Sequence, residues 1–357
     1  MLAKSTIYEV AQRSGVSTAT VSRVMRNGTG FSEATRQRIL QVASELGWLP
    51  NGSARGLAER RIGIIGLLFP DLGKDAEAES ESPLFVDQVI RGAERAATLV
   101  GDAVLIASTE GAAGRERARS IAGKVDGLVV TAGSLSKADL ASIARSIPVV
   151  LVAAQASQRA LDAVGADNLG GSRLITEHLL EVHGYRDLAF VAGPAQSPDS
   201  IQRFAGFRAA LTHWTERSGA ELDVPSTPHA HGGFTEAGGA RAMAELLDNR
   251  ERPPRAVVFG NDEMAIGGLS LLRARKLRVP TDVAITGFDD IASARHIRPA
   301  LTTVRQPMRQ LGEEAVRMLL ERMGKPEAGQ QNLTLPTELE IRRSCGCAST
   351  NTTRSSR

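Results

Sequence analysis

The residues TIYEVAQRSGVSTATVSRV, Thr6–Val24, carry the clearest structural signal in the chain. Their first half has helical spacing, Gly15 interrupts it, and Ser17 can cap a second helix whose valines lie three positions apart. A third helical stripe follows Ser32 and ends at Gly47. Two short helices joined by a glycine-containing turn and followed by a third predict a small all-α helix-turn-helix unit.

The outer face of the second predicted helix carries small side chains and one long guanidinium group. Such a face suits the base edges of a DNA major groove, where arginine can form two hydrogen bonds with guanine. The alternative is a helical hairpin with a solvated face, and periodicity alone leaves both interpretations open. The residues of this face are Thr18, Ala19, Thr20, Ser22 and Arg23.

Basic charge is concentrated at the two ends of the 357-residue chain. Residues 1–61 contain nine Lys/Arg and four Asp/Glu, and residues 341–357 contain four arginines and no acidic residue. The remainder carries 30 basic and 36 acidic residues, although the net charge of the whole chain is only +3. A basic head on an acidic body favours a nucleic-acid partner at the head.

From Ile62 onward, strand-length apolar runs alternate with amphipathic segments of helix length. This alternation predicts parallel sheets with right-handed crossovers, arranged as two α/β lobes that bind ligands at the carboxyl ends of the strands. Residues 71–82 form an acidic interruption with few apolar residues, for which a solvated loop is the simpler interpretation and a lid beside a cleft is the other. The strand-like runs are 62–69, 103–109, 126–133, 148–154, 187–193, 256–262 and 283–290.

Composition and motifs argue against several classes of protein. Apolar residues make up 42% and charged residues 23%, which is ordinary globular usage. No run approaches the roughly 20 apolar residues of a membrane span. The amino terminus lacks an apolar secretory core, which predicts a cytoplasmic protein. The sequence contains no nucleophile elbow, phosphate-binding loop or zinc-protease motif, so we expect neither an enzyme nor a cofactor.

Three groups of potential metal ligands do not amount to a predicted metal site. His229 and His231 lie in a glycine-rich segment without a third ligand. Asn261, Asp262 and Glu263 stand at the end of a strand-like run, where capping of the next helix by Asp262 is the better interpretation. Cys345 and Cys347 could bind zinc or become oxidised, but the Ser/Thr/Arg-rich end of the chain favours a disordered thiol tail.

The Thr6–Val24 motif resembles the headpiece of the lactose-repressor (LacI) family of bacterial transcription regulators. Further matches to the family pattern follow in the right order over nearly the whole chain, which makes the resemblance highly specific. They are Asn27 and residues 31–36, 46–51, 54–57, 70–71, 125–127, 183–185, 203–207, 261–267, 287–290, 299–304 and 306–307.

The resemblance implies four segments. A helix-turn-helix headpiece occupies residues 1–50 and a hinge helix residues 51–61. A two-lobed effector-binding and dimerisation domain, similar to periplasmic sugar-binding proteins, occupies residues 62–344, and a disordered tail residues 345–357. The resemblance also implies a homodimer that binds a palindromic double-stranded DNA operator, a small effector that is a carbohydrate, and no membrane partner.

Position by position, the resemblance assigns Thr18, Ala19 and Arg23 to base reading and Ser17, Thr20 and Ser32 to phosphates. The hinge leucine of the family, here Leu57, enters the minor groove of the operator, and the hinge becomes helical only on DNA. Ala58 departs from the pattern, because many relatives have a basic residue there. The complete predicted DNA-binding set is Ser17, Thr18, Ala19, Thr20, Ser22, Arg23, Asn27, Ser32, Ala54, Arg55 and Leu57.

The resemblance also implies a polyol site in the effector cleft. Arg203, Asp289 and Asn261 can donate to and accept from sugar hydroxyls, and a phenyl ring suits the C–H face of a sugar. Each has a structural alternative, such as an Arg203–Asp289 ion pair or a phenylalanine in the core. The predicted effector-binding residues are Phe85, Asp199, Arg203, Phe234, Asn261 and Asp289. Ala153, Ala154 and Gln155 stand where many sugar-responsive relatives have a charged residue.

These observations predict a repressor of a sugar-utilisation operon that an effector releases from DNA. One alternative keeps the regulator but makes the ligand a corepressor, such as a nucleobase, that strengthens DNA binding. Another, from a different class, is a sugar-binding module without DNA function. A sugar hydrolase is a further rival, against which the missing catalytic motif argues.

Overall fold

The computed structural model describes residues 5–25, 28–48, 61–70, 83–109, 113–153, 161–219 and 221–348. The chain divides into two compact units, Met1–Gly63 and Ile64–Arg357. The predicted contacts Asn27, Ala54, Arg55 and Leu57 lie outside the described residues. The same is true of most of the predicted hinge, the acidic interruption at 71–82, and Ala154 with Gln155.

The first unit contains the predicted helix-turn-helix. Thr6 caps the first helix in a capping box with Glu9, because the Thr6 side chain accepts from the Glu9 amide and the Glu9 carboxylate accepts from the Thr6 amide. That helix ends at Gly15 in the left-handed conformation. Apolar residues from all three helices, among them Val10, Val21 and Ile39, form one small core. The helices are α1 (Ile7–Ser14), α2 (Thr18–Met25) and α3 (Glu33–Glu45).

The second unit begins with a lobe built on a six-stranded parallel sheet of order β11-β5-β4-β3-β1-β2. Its strands are β1 (Ile64–Phe69), β2 (Ala103–Ser108), β3 (Gly127–Thr131), β4 (Val149–Val152), β5 (Asp162–Ala166) and β11 (Asn332–Leu335). Its helices are α4 (Pro83–Leu99), α5 (Gly114–Ala122), α6 (Lys137–Ala144) and α12 (Met308–Gly324). β1, β3 and β4 are buried along nearly their whole length, as expected for parallel strands covered by helices.

A second lobe has a four-stranded parallel sheet of order β7-β6-β8-β9. Its strands are β6 (Leu188–Ala192), β7 (Ala230–His231), β8 (Ala256–Phe259) and β9 (Ala284–Thr286). Its helices are α7 (Asn168–Glu181), α8 (Pro198–Ser218), α9 (Glu236–Asp248), α10 (Asp262–Ala274) and α11 (Ala292–His296). Beside it, β10 (Thr303–Arg305) and β12 (Glu338–Glu340) form an antiparallel pair.

The two lobes are interleaved in sequence rather than consecutive. The chain passes between them after β5, after β10 and again after β11. The first lobe therefore takes its last helix, α12, and its edge strand, β11, from the carboxyl-terminal part of the chain. Each of the seven predicted strand-like runs contains a strand, and within the described residues no helix is long and apolar enough to span a membrane.

The predicted disordered tail begins too early in the sequence. Cys345 is completely buried in the core of the second lobe, and the Tyr185 hydroxyl donates a hydrogen bond of 3.0 Å to its carbonyl oxygen. Ser344 bonds to two segments, because its carbonyl oxygen accepts from Ile285 and its hydroxyl oxygen accepts from Thr302. Residues up to 348 are therefore part of the fold. The prediction was wrong because the composition of the segment does not reveal partners that are distant in sequence. Residues 349–357 lie outside the description.

Candidate functional site

An open cavity of about 280 Å³ lies between the two lobes of the second unit. Both lobes supply side chains to its wall, the first through α4 and the second through α8 and the segments after β7, β8 and β9. All six predicted effector-binding residues line it, together with two more polar residues. The lining is Phe85, Ser197, Asp199, Arg203, Phe234, Asn261, Asp289 and Gln306.

The parallel sheet of the second lobe positions three of these side chains. Phe234 follows β7, Asn261 follows β8 and Asp289 follows β9, so all three lie beyond the carboxyl ends of parallel strands of one sheet. Ligand sites of open α/β sheets occur at this edge. Asn261 is also the N-cap of α10, because its side-chain oxygen accepts a 3.0 Å hydrogen bond from the Met264 amide.

Arg203 is the centre of a buried polar network. Its Nε donates to the side-chain oxygen of Asn168 at 2.8 Å, and its Nη1 donates to the Gly260 carbonyl at 2.7 Å. The same Nη1 lies 3.3 Å from an Asp289 carboxylate oxygen, and both side chains are 3% exposed. Arg203 and Asp289 therefore form an ion pair with each other and also line the cavity.

Two carboxylates meet this arginine in a desolvated environment. Burial raises the pKa of Asp289 to about 7, against the opposing effect of Arg203. Burial also raises the pKa of Asp199, although Arg203 and a 2.9 Å hydrogen bond from Asn168 act in the opposite direction. The site can consequently hold a proton near neutral pH.

The backbone of two lining residues is strained. Phe234 has φ +61° and Asp289 has φ +119°, in the region that L-residues rarely adopt. Such conformations cost on the order of 1–3 kcal/mol each. Asn261 Nδ2 donates to the Phe234 carbonyl at 3.0 Å, and the Asp289 amide donates to the Val304 carbonyl at 2.7 Å. These bonds hold both residues in the orientation that lines the cavity.

Asp262 does not cap α10 as the sequence predicted. Asn261 takes that position, and the Asp262 carboxylate is completely buried instead. It accepts hydrogen bonds from the Thr303 hydroxyl at 2.5 Å and from the Ile291 amide at 2.9 Å. Burial, with a further contribution from Asp289, raises its pKa well above the ordinary value. Asp262 therefore joins α10 to two neighbouring segments, and its partners are 29 and 41 residues away in sequence.

Sequence reasoning did not select Gln306 and Asn168 for the site. The Gln306 amide nitrogen donates to Asp289 at 2.6 Å, while its oxygen is buried and has no hydrogen-bond partner among the described residues. An unpaired buried acceptor on a residue of the cavity wall is an unusual feature. The family match at Gln306-Pro307 was a signal for the first of these residues. Asn168 acts only through its hydrogen bonds with Arg203 and Asp199, and no sequence signal indicated that role.

The first unit presents the predicted DNA-recognition helix, α2. Val21 and Val24 are buried, whereas Ala19 and Arg23, four positions apart, are exposed on the same face. Thr18, Thr20 and Ser22 are half-buried beside that face. A row of short side chains with one guanidinium group can approach a groove closely without steric conflict.

Two further predicted phosphate contacts, Ser17 and Ser32, begin helices. Ser17 Oγ accepts from the Thr20 amide at 3.2 Å, and Ser32 Oγ accepts from the Thr35 amide at 3.2 Å. Both residues are exposed, and the first turns that they cap offer unpaired amide groups and a positive helix end. Such helix starts suit phosphate oxygens.

Comparison with known proteins gives two family matches. A model described as "Bacterial regulatory proteins, lacI family" matches residues 6–51, and one described as "Periplasmic binding protein-like domain" matches residues 176–345. Catabolite control protein A of Priestia megaterium is 32% identical over 344 residues, which cover 95% of this chain and 98% of that protein.

Solved structures are similar over the same length. A complex of the transcriptional regulator CelR with cellobiose is 32% identical, with a TM-score of 0.69 over 96% of this chain and 100% of that one. A lac repressor dimer bound to operator and the anti-inducer ONPF is 26% identical, with a TM-score of 0.80 over 96% of this chain and 99% of that one.

Proposed function

The chain belongs to the lacI family of bacterial regulatory proteins and is a DNA-binding transcriptional regulator rather than an enzyme, and we propose the following role for it within that family. It represses sugar-utilisation genes by binding a palindromic operator as a homodimer. A small sugar in the cavity between the lobes releases it from DNA.

The unpaired oxygen of Gln306 is the observation that carries the effector assignment. It lies in a wall that also contains Asp289, Asp199, Asn261 and Arg203, so the wall offers both hydrogen-bond acceptors and donors. A sugar offers several hydroxyl donors at fixed spacing, and each hydroxyl can also accept. A buried acceptor without a partner costs about 1–3 kcal/mol, which a ligand hydroxyl would recover.

The charge and shape of the cavity favour a neutral, ring-shaped ligand. One guanidinium group faces two carboxyl groups of raised pKa, so the charges of the lining balance each other and favour neither an anionic nor a cationic ligand. Phe85 and Phe234 supply apolar surface on which the C–H face of a pyranose or furanose can pack. The solved complex of CelR with cellobiose supports a carbohydrate, since that relative is 32% identical over nearly the full chain.

The proposed homodimer rests on the relatives and on exposed apolar surface. The lac repressor structure is a dimer bound to operator. In this chain several large exposed apolar side chains belong to α4, the loop after it and the sheet-edge strand β2, which a second subunit could cover. They are Leu84, Leu99, Val100 and Ile106.

The proposed coupling between effector and DNA runs through the hinge at residues 51–61. A short segment with Gly52 and Gly56 is a poor isolated helix, since each glycine costs about 1 kcal/mol of propensity. We infer that the operator and the partner subunit together stabilise it, with Ala54, Arg55 and Leu57 at the DNA. An effector that rearranges the lobes would separate the two hinges of the dimer.

A corepressor is the second candidate, because two phenyl rings can also hold the faces of a planar nucleobase. In that case ligand binding would strengthen DNA binding. The remaining alternative, a sugar-binding module without DNA function, is disfavoured by the lacI-family match over residues 6–51.

A ligand screen tests the proposed function. The full chain is heated with sugars and with nucleobases, and a ligand at 100 times its dissociation constant should add about 2.7 kcal/mol of stability. Hits are then tested for release of a fluorescent operator. Gln306→Ala should weaken binding of the identified ligand by about fivefold or more. Arg208→Ala is the control, because Arg208 is exposed on the same helix as Arg203, and it should leave this affinity unchanged. A nucleobase hit that tightens operator binding would replace the sugar proposal.

A further inference from the structure

Two histidines and two cysteines converge in the second lobe, at the opposite end of α7 from Asn168. His178 is in the last turn of α7, His183 follows that helix, and Cys345 and Cys347 belong to the carboxyl-terminal segment. One potential ligand atom from each of the four lies within 4.8 Å of all the others. More than 160 residues separate the histidines from the cysteines in sequence.

The measured separations fit the edges of a metal tetrahedron. Cys345 Sγ and Cys347 Sγ each lie 3.6 Å from His178 Nε2, and Cys347 Sγ lies 3.3 Å from His183 Nε2. Zinc–sulfur bonds of about 2.3 Å and zinc–nitrogen bonds of about 2.0–2.1 Å at tetrahedral angles require sulfur–nitrogen distances of about 3.6 Å. The four side chains therefore already enclose a space of the right size.

The chemistry of the four ligands is selective. Two thiolates and two imidazoles form the Cys₂His₂ set that zinc adopts in structural sites, whereas magnesium and calcium prefer oxygen ligands. The Nε2 atoms of His178 and His183 both face thiol sulfurs, so each ring presents that nitrogen to the space between the four side chains. No carboxylate belongs to the group, so the two thiols would supply its negative charge.

The backbone around the cysteines is shaped to bring both sulfurs to the same place. Gly346 between them has φ +110°, and a Cβ at this position would come within 2.9 Å of the Tyr185 hydroxyl. A larger residue would be strained in that conformation and would disturb the stacked pair of His183 and Tyr185, whose ring centroids are 5.0 Å apart. Arg255 in turn donates to the Tyr185 hydroxyl at 2.9 Å.

Surrounding contacts fix the orientation of the group, as the hydrogen-bond partners of the ligands do in metal sites. Tyr185 donates to the Cys345 carbonyl, and the Thr302 hydroxyl donates to Cys345 Sγ at 3.1 Å. The Ile285 amide of β9 also donates to the Ser344 carbonyl, so the segment that carries the cysteines is held against β9 and against the residues leading to β10. His178 and Cys345 are buried and His183 and Cys347 are half-buried, so the cluster lies at the edge of the core.

We propose that His178, His183, Cys345 and Cys347 bind one structural Zn²⁺, which fastens the carboxyl-terminal segment to α7 and the second lobe. This site is separate from the cavity between the lobes, and its existence does not depend on the identity of the effector. Four protein ligands leave no open position on a tetrahedral ion, so its role is to stabilise the lobe. Fixing α7 at its carboxyl end also fixes the helix that presents Asn168 to Arg203.

Metal analysis of the full chain tests the site. The protein is purified under reducing conditions without a histidine tag, and its metal content is measured by mass spectrometry. We expect one zinc per chain, and we expect Co²⁺ exchanged into the protein to give the visible absorption of a tetrahedral cobalt thiolate. A strong zinc chelator should lower the melting temperature of the wild type.

Two single variants and a matched control locate the ligands. Cys347→Ser and His183→Gln should each reduce zinc affinity at least about tenfold, because removing a ligand costs no less than removing one of its supports. His213→Gln, at an exposed histidine of α8, should retain one zinc per chain. Failure of the reduced wild-type protein to take up zinc or cobalt would overturn the proposal, and so would an unchanged zinc affinity of both ligand variants in competition with a chelator.

Discussion

At the level of single residues, the adjacent aspartates Asp289 and Asp290 illustrate how position decides chemistry. The Asp289 carboxylate faces the cavity, with Arg203 and Gln306 as partners. The Asp290 carboxylate forms ion pairs with three arginines. Arg295 and Arg305 each lie 2.8 Å from it, and Arg342 is the third partner. Burial raises the pKa of Asp290, but the hydrogen bonds from these arginines outweigh it and leave that pKa lowered. Asp290 is thus a structural anchor, and Asp289 remains available to a ligand.

Effector affinity should depend on pH through Asp289. Its pKa of about 7 in the ligand-free protein means that roughly half of the carboxyls are ionised at neutral pH. Ligand hydroxyls donate to the ionised form, so binding lowers this pKa and affinity rises as pH increases through 7. Calorimetric titration at pH 6 and pH 8 should give dissociation constants that differ roughly tenfold. Asp289→Asn should bind more weakly at both pH values and remove the difference, whereas an unchanged pH profile in this variant would exclude Asp289 as the titrating group.

Arg23 on α2 should read a base rather than only a phosphate. Arg23→Ala should lose discrimination at one base pair in each half of the operator, worth about 1–3 kcal/mol. Anisotropy titrations on the operator and on single-base variants measure this discrimination. Arg13→Ala, at an exposed arginine of α1 outside the predicted contact set, is the control. An equal loss of affinity for every sequence would make Arg23 a phosphate contact instead.

At the level of elements, the close packing of α4 against α12 depends on two glycines. A Cβ at Gly92 would lie 1.9 Å from the Arg309 carbonyl oxygen, and a Cβ at Gly312 would lie 2.0 Å from the Val89 carbonyl oxygen. The helix backbones therefore approach each other directly. This contact fastens α12, which comes late in the sequence, to the first lobe.

Gly312→Ala should destabilise the protein. Displacing two packed helices costs about 1–3 kcal/mol, which exceeds the gain in helix propensity. Gly324→Ala is the matched control on the same helix, because no atom lies within 4 Å of a Cβ there. Urea unfolding followed by circular dichroism should show a lower midpoint for Gly312→Ala and an unchanged or slightly higher midpoint for Gly324→Ala. Equal midpoints for the two variants would contradict the packing argument.

At the level of the whole molecule, effector and operator binding must be coupled reciprocally. Whatever factor the effector removes from DNA affinity, the operator removes from effector affinity, and a factor of 5–150 is typical. We expect effector titrations of the full chain to show weaker binding when saturating operator is present. Tighter binding on the operator would identify a corepressor, and identical binding curves would show that the cavity does not control DNA binding.

Local patterns were sufficient to predict the elements and much of the site. Helical spacing around Gly15 gave the helix-turn-helix, and apolar runs marked seven strands, because both signals depend only on neighbouring residues. The short strands β5, β7, β10, β11 and β12 escaped this reasoning, since small or polar residues dominate several of them. The six cavity residues were predicted through the family resemblance, which records positions that spacing alone does not reveal.

The sequence alone determined which segments are helices and strands and which family pattern they follow. Only the tertiary structure decided which distant side chains meet. Gln306 faces the cavity because β10 leads back between the lobes, and Cys345 is buried because its segment packs against β9. The histidines of α7 meet the terminal cysteines for the same reason. Such contacts arise from the packing of elements that are far apart in the chain. The composition of the carboxyl-terminal segment alone therefore does not identify the residues that it contacts.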